Sequence, residues 1–172
     1  TMKRAEGPCW SNDHCSSLSY NILTGVEGVG GALDVYEGGI AQVSQTLIQY
    51  NRANRAAVLD ASSVAYVRME GNVIANNSYW NNDSATTLFL MEGAPSNGGN
   101  LDFFYNTLVN NEANHVFEMS DSAQQFLSVH NSIIQHPLTQ FDNGNSNNVV
   151  DYDCVFLNEN GSLTGNIGII NN

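Results

Sequence analysis

A short element recurs along this chain: an amide or acid, a mostly small or β-branched residue, one or two aliphatics, then polar residues. It is clearest in Asn106-Thr107-Leu108-Val109-Asn110-Asn111. Near copies are Asn21-Ile22-Leu23-Thr24, Gln45-Thr46-Leu47-Ile48-Gln49, Asn72-Val73-Ile74-Ala75-Asn76-Asn77, Asn131-Ser132-Ile133-Ile134-Gln135 and Asp153-Cys154-Val155-Phe156-Leu157-Asn158. Counted on the aliphatic at Leu23, Leu47, Ile74, Leu108, Ile133 and Val155, the intervals are 24, 27, 34, 25 and 22 residues. A period of this size specifies stacked units, each too small to bury its own apolar residues and completed by its neighbours. The runs are short and β-branched, so each is expected to be a strand. The competing reading is an antiparallel sandwich whose unrelated strands each end in a polar turn.

Stacking makes three further expectations. The six marker aliphatics should form one buried column. Asn21, Gln45, Asn72, Asn106, Asn131 and Asp153 should line one corner, where amides bond along the stack and asparagine tolerates a left-handed backbone. A second strand should precede each marker: 32–36, 57–60, 87–91, 116–119 and 140–142. Alternation then points Leu33 and Val35, Leu88 and Leu90, and Phe117 and Met119 inward. Two strand regions per coil and no amphipathic helix are predicted.

The piece Gly30-Gly31-Ala32-Leu33-Asp34-Val35, followed by Val43-Ser44-Gln45-Thr46-Leu47-Ile48-Gln49-Tyr50-Asn51, is similar to the repeat unit of many bacterial surface β-helix proteins. From about residue 20 to 172 the chain resembles the pectin-lyase-like superfamily. The resemblance implies an all-β, right-handed parallel β-helix of about five or six coils. It implies no particular activity, because that fold carries lyases, hydrolases, epimerases, adhesins and tailspikes. Residues 1–19 do not fit the repeat, and since an open solenoid end needs covering they read as an N-terminal cap or the tail of an earlier coil. Neither the paired-Asp motifs of polygalacturonases nor the arginine arrangement of pectate lyases is present. The chain ends at Gly168-Ile169-Ile170-Asn171-Asn172, which reads as the start of another marker strand. A partner, or further chain, is expected to cover that end.

Charge narrows the ligand classes. Five Lys and Arg stand against 17 Asp and Glu, a formal net charge of −12. Such a surface repels phosphate backbones and polyanionic polysaccharides, so no nucleic-acid partner is expected. No apolar run is long enough for a transmembrane helix, so no membrane span is expected. Cys9 and Cys15, close together in a polar segment, read as a small disulfide loop of a secreted or cell-surface protein; free thiols, or a metal site with His14, are the alternatives. Cys154 reads as a small residue at or near the core.

The candidates for chemistry are carboxylates on the preceding strands. Asp34, Asp60, Glu118 and Asp142 should point outward, in a row. Neighbouring rungs are ~4.8 Å apart, so carboxylates one or two rungs apart span the separations glycoside hydrolases use. The same row, Asp60 and Glu118 above all, suits calcium, which should then raise the melting temperature. It also reads as a merely solvated acidic face. No cofactor is otherwise expected. Tyr36, Tyr79, Trp80 and Asn97 are candidate ligand-binding residues, the Tyr79-Trp80 pair as a sugar-stacking platform or a hydrophobic cover, and Asn97 in an insertion at 92–99 within the longest interval. His14, His115, His130 and His136 fit no catalytic motif, and a Ser-His-Asp triad stays open. Three functions follow. The first is a non-catalytic extracellular binding or adhesion scaffold, for carbohydrate among other ligands. The second is a polysaccharide-degrading enzyme on the acidic face. The third is a segment of a larger fibre with trimeric or end-to-end self-association.

Overall fold

The computed structural model describes residues 16–22, 30–62, 65–80, 87–92, 100–119, 126–135, 140–142, 149–150 and 155–157. They form a parallel β-solenoid; strands are numbered in chain order. Face 1 stacks β3 (Ile40–Ser44), β7 (Tyr66–Glu70), β11 (Asn100–Phe104), β14 (Phe126–His130) and β17 (Val149–Val150). Face 2 stacks β1 (Ser16–Ser19), β4 (Thr46–Gln49), β8 (Val73–Ala75), β12 (Thr107–Val109), β15 (Ile133–Gln135) and β18 (Val155–Leu157). Face 3 stacks β2 (Leu33–Val35), β6 (Ala56–Ser62), β10 (Thr87–Glu92), β13 (His115–Met119) and β16 (Gln140–Asp142), and β5 (Arg52–Ala53) pairs with β9 (Ser78–Tyr79) at the corner between faces 2 and 3. Face 2 thus has six rungs and the others five. Ser16–Ser19 already pairs with β4, so the stack includes the end of the segment assigned to the cap. Among the described residues there is no helix.

Each coil has three strand regions rather than the two expected. Face 1 escaped notice because one or two residues separate it from the marker strand, and no Gly-Pro or Asn-Gly turn marks the break. The corner is instead made by one residue in the left-handed region: Gln45 (φ 48), Gly71 (φ 65), Tyr105 (φ 55) or Asn131 (φ 47). A second left-handed column, Tyr20 (φ 60), Tyr50 (φ 56), Asn76 (φ 56) and Asn110 (φ 53), closes the other end of face 2.

Next to each corner stands a ladder of buried polar side chains. Along the first, Thr46 N donates to Asn72 Oδ1 at 3.0 Å, Asn72 N and Nδ2 both donate to Asn106 Oδ1 at 2.9 Å, and Asn106 N donates to Ser132 Oγ at 3.1 Å. Along the second, Asn21, Asn51, Asn77 and Asn111 do the same at 2.9–3.1 Å. Spare amide protons bond strand carbonyls, as from Asn72 to Val43 O and from Asn77 to Ile48 O at 3.0 Å. A buried amide left unpaired costs about 1–3 kcal/mol, so these positions accept few other residues. The single expected ladder is therefore two. Asn72 and Asn106 belong to the first and Asn21 to the second; Gln45 and Asn131 are corner residues, and Asp153 lies outside the described residues.

The core is a column of aliphatics from face 2 against aromatics from the other faces. Register aligns Leu18, Ile48, Ile74, Leu108 and Ile134, all buried. Of the expected column, Ile74 and Leu108 are in place. Leu47 and Ile133 are one position early and face outward at 37% and 41% exposure, while Leu23 lies outside the described residues. A one-residue slip reverses a strand's faces. Phe89, Phe103 and Phe117 pack with ring centroids 5.0–5.4 Å apart. Phe89 shares the core column with Phe117, Leu88 also packs in the core beside the register slip, and Leu90 instead falls in the column of the carboxylates.

Candidate functional site

The five strands of face 3 match the sequence-predicted preceding strands, and register places Asp34, Asp60, Leu90, Glu118 and Asp142 in one column. The acidic row exists, with Leu90 inserted between Asp60 and Glu118. Its environment is uneven. Asp34 is exposed and Glu118 half-buried, whereas Asp60 is only 5% exposed and Leu90 1%. Ala56 to Ala61 and Thr87 to Met91 are buried throughout, so this sheet is covered on both sides at β6 and β10. The expectation that the row is simply outward and solvated is corrected at Asp60. Burial, then the charges of Asp34 and Glu92, push its carboxyl up to about 6, against the lowering effect of Arg55, which pairs with Glu92. Its Oδ1 is buried without a hydrogen-bond partner. Asp60 and Glu118 lie two rungs apart, roughly 10 Å at sheet spacing, on either side of Leu90. Among the described residues no three His, Cys, Asp or Glu side chains gather as a metal site.

The candidate ligand-binding aromatics do not converge. Tyr36 is exposed at the turn from face 3 to face 1. Tyr79 and Trp80 stand at the corner between faces 2 and 3, where the Tyr79 hydroxyl donates to Glu112 Oε1 at 3.0 Å; that bond raises the phenol's pKa. Asn97, Cys9 and Cys15 lie outside the described residues. So do His14 and His136.

The densest polar assembly is on the outer side of face 1. Strict alternation puts Val67 and Met69, Leu101 and Phe103, and Leu127 and Val129 into the core. It leaves Tyr66, Arg68 and Glu70, Asn100, Asp102 and Phe104, and Ser128 and His130 outside, half-buried, in register across neighbouring rungs. The Tyr66 hydroxyl donates to Asp102 Oδ2 at 2.5 Å, and this bond, with burial, raises the phenol's pKa. Arg68 Nε and Nη2 donate to Glu70 Oε2 at 3.1 and 3.0 Å, and the guanidinium lies 5.2 Å from the Phe104 ring centroid. Phe104 stacks on His130 at 4.8 Å and 13°, and His130 Nε2 shares a hydrogen bond of 2.6 Å with Ser128 Oγ. Flat rings, a guanidinium and two carboxylates are thus held by one another on rigid strands. His130 alone of this group was a sequence candidate. The signal for the rest was the period-two alternation in Tyr66-Val67-Arg68-Met69-Glu70 and Asn100-Leu101-Asp102-Phe103.

The architecture defines a parallel β-solenoid with one polar-aromatic outer sheet. Comparison with protein-family models, with curated proteins and with solved structures finds no match.

Proposed function

We propose that this is a non-catalytic extracellular binding module that holds a neutral glycan against the outer side of face 1. The observation that carries the reading is the Arg68–Phe104–His130 stack, flanked by the carboxylates of Glu70 and Asp102. Sugar rings offer apolar C–H faces and fans of hydroxyls. They are matched by an apolar strip of ring edges, Phe104 lying between Arg68 and His130, beside fixed planar donors and acceptors. Face 1 supplies both, pre-organised on strands rather than loops. Its charges are mixed, and the chain's net charge of −12 disfavours polyanions, so the ligand is an uncharged polysaccharide. The likeness to pectin-lyase-like repeats and the reading of the early cysteines as a disulfide support an exported protein. Affinity electrophoresis on soluble neutral glucans, xylans and mannans tests the proposal. The native protein should be retarded by at least one of them, with Arg68→Ala and Phe104→Ala migrating freely while still folded. Unretarded native protein on every polymer would remove the reading.

A second reading has its own observation. Asp60, its carboxyl pushed up to about 6, stands one rung, ~4.8 Å, from exposed Asp34, and two carboxyls at about that separation are the pairing of a retaining glycosidase. Release of reducing ends that Asp60→Asn and Asp34→Asn both abolish would favour this enzyme over the scaffold.

A further inference from the structure

Three tyrosines, Tyr20, Tyr50 and Tyr105, occupy left-handed corners and are 69%, 40% and 61% exposed. A bulky residue in that conformation is an outlier, and its neighbours show the easier solutions. Asn76 and Asn110 hold the same corner as Tyr50; Gly71 and Asn131 hold the same corner as Tyr105. Tyr20 and Tyr50 recover part of the strain by stacking, with ring centroids 4.9 Å apart and an interplanar angle of 18°. Among the described residues the Tyr105 ring has no stacking or hydrogen-bond partner; only its backbone is bonded, N donating to His130 O at 3.1 Å. Strain kept without a ring stack or hydroxyl bond among the described residues points to a role outside the fold.

The surroundings of Tyr105 say what that role is. It directly follows Phe104, so it borders the face 1 assembly. The corner column runs Gln45, Gly71, Tyr105, Asn131, one residue per rung. Gly71 is exposed, and a Cβ built there would meet only Gln45 Cγ, at 3.9 Å. The glycine therefore opens a notch one side chain wide, between Gln45 and Tyr105, which are two rungs or roughly 10 Å apart. Gln45 and Tyr105, a primary amide and a phenol, border it on the neighbouring rungs, and Glu70 precedes it in the chain.

We infer that the Gly71 notch is a subsite for one sugar ring of the glycan, with a C–H face on Tyr105 and hydroxyls on the Gln45 amide and Glu70 carboxylate. This rests on the glycan-binding reading of face 1 and places one ring at its edge. It makes stability and binding move in opposite directions. Tyr105→Asn relieves the left-handed strain, so its melting temperature should hold or rise by roughly 2 °C. The same change should weaken binding about 2- to 10-fold, the value of one ring contact. Gly71→Asn keeps a corner that Asn131 shows to be tolerated, fills the notch and should weaken binding as much. Tyr105→Trp should retain it.

The experiment is titration of native protein and these variants, with Phe104→Ala alongside, against whichever soluble glucan, xylan or mannan retards the native chain, each variant's melting curve being recorded. Weakened binding in Tyr105→Asn and Gly71→Asn with melting unchanged or raised is the expected result. If Phe104→Ala loses binding but the two notch variants keep it, the subsite is wrong and the face 1 reading stands. A lowered melting temperature in Tyr105→Asn makes the ring a structural contact and overturns the inference. If the native protein binds none of the polymers, reading and subsite fall together.

Discussion

Faces 1 and 2 share a corner, a ladder and a core, yet their outer sides differ in kind. Face 1 displays Tyr66, Arg68, Glu70, Asp102, Phe104, Ser128 and His130. Face 2, in register, displays Leu47, Val73, Thr107 and Ile133 in one column and Gln49 and Val109 in the next, where Ala75 is buried between them, without a charge. Inward residues of both are aliphatic or aromatic and interchangeable in role. The solenoid therefore fixes where side chains stand but not which ones are outside, and on the proposed reading it is the outward chemistry of face 1 that binds. Stability, by contrast, resides in what the faces have in common.

The largest effect should come from that common part. Asn106→Ala strands the Asn72 amide donors and the Met69 carbonyl, which Asn106 Nδ2 now satisfies at 3.0 Å. A loss of about 3–5 kcal/mol in urea unfolding is expected, disturbing both faces together. A loss under about 1 kcal/mol would mean that the ladder does not bind the faces into one unit.

Asp60 gives the next effect, on face 3. Its folded pKa, about 6, lies above the ordinary 3.8, so the folded chain holds this proton more tightly than the unfolded one. The favourable contribution is full below about pH 4 and is lost as pH rises through about 6. Asp60→Asn should therefore raise stability at pH 7 by about 1–2 kcal/mol, screening taken into account, and flatten the melting temperature between pH 4 and 7. An unchanged pH profile in the variant would show that Asp60 titrates as an ordinary surface acid.

Smaller still are changes on the outer sides themselves, and here the two faces should part. Arg68→Ala removes a half-exposed ion pair and a ring contact, together about 1 kcal/mol or less. Its consequence should be lost glycan retardation. Val73→Thr on face 2 should change stability by less than about 0.5 kcal/mol and binding not at all. Equal effects of the two substitutions on binding would erase the distinction between the faces.

The sequence carried more of the architecture than of the site. Asn72, Asn106 and their near copies disclosed the stack because a buried amide ladder restricts residue choice at every rung. Register on face 2 was less legible, since pairs such as Leu47-Ile48 and Ile133-Ile134 offer two equivalent aliphatics and only burial tells which points inward. Thr87-Leu88-Phe89-Leu90-Met91 hides its phase for a related reason: β10 is buried on both sides, and its register slips between Thr87 and Phe89. The carboxylate row was visible because Asp34 and Asp60 each follow a leucine at the same offset. Face 1 was hidden by its corners, since Gln45 and Tyr105 carry no ordinary turn signal, and with the strands went the site built on them.

The central claim, that function lies on face 1 and not face 2, meets its most direct test in amide NMR of the labelled protein titrated with a soluble neutral oligosaccharide. The account predicts shifts concentrated at Tyr66, Arg68, Glu70, Asp102, Phe104 and His130, with Leu47, Val73 and Ile133 still. Shifts centred on Leu47, Val73 and Ile133, or on the Asp34–Asp60 row, would contradict it.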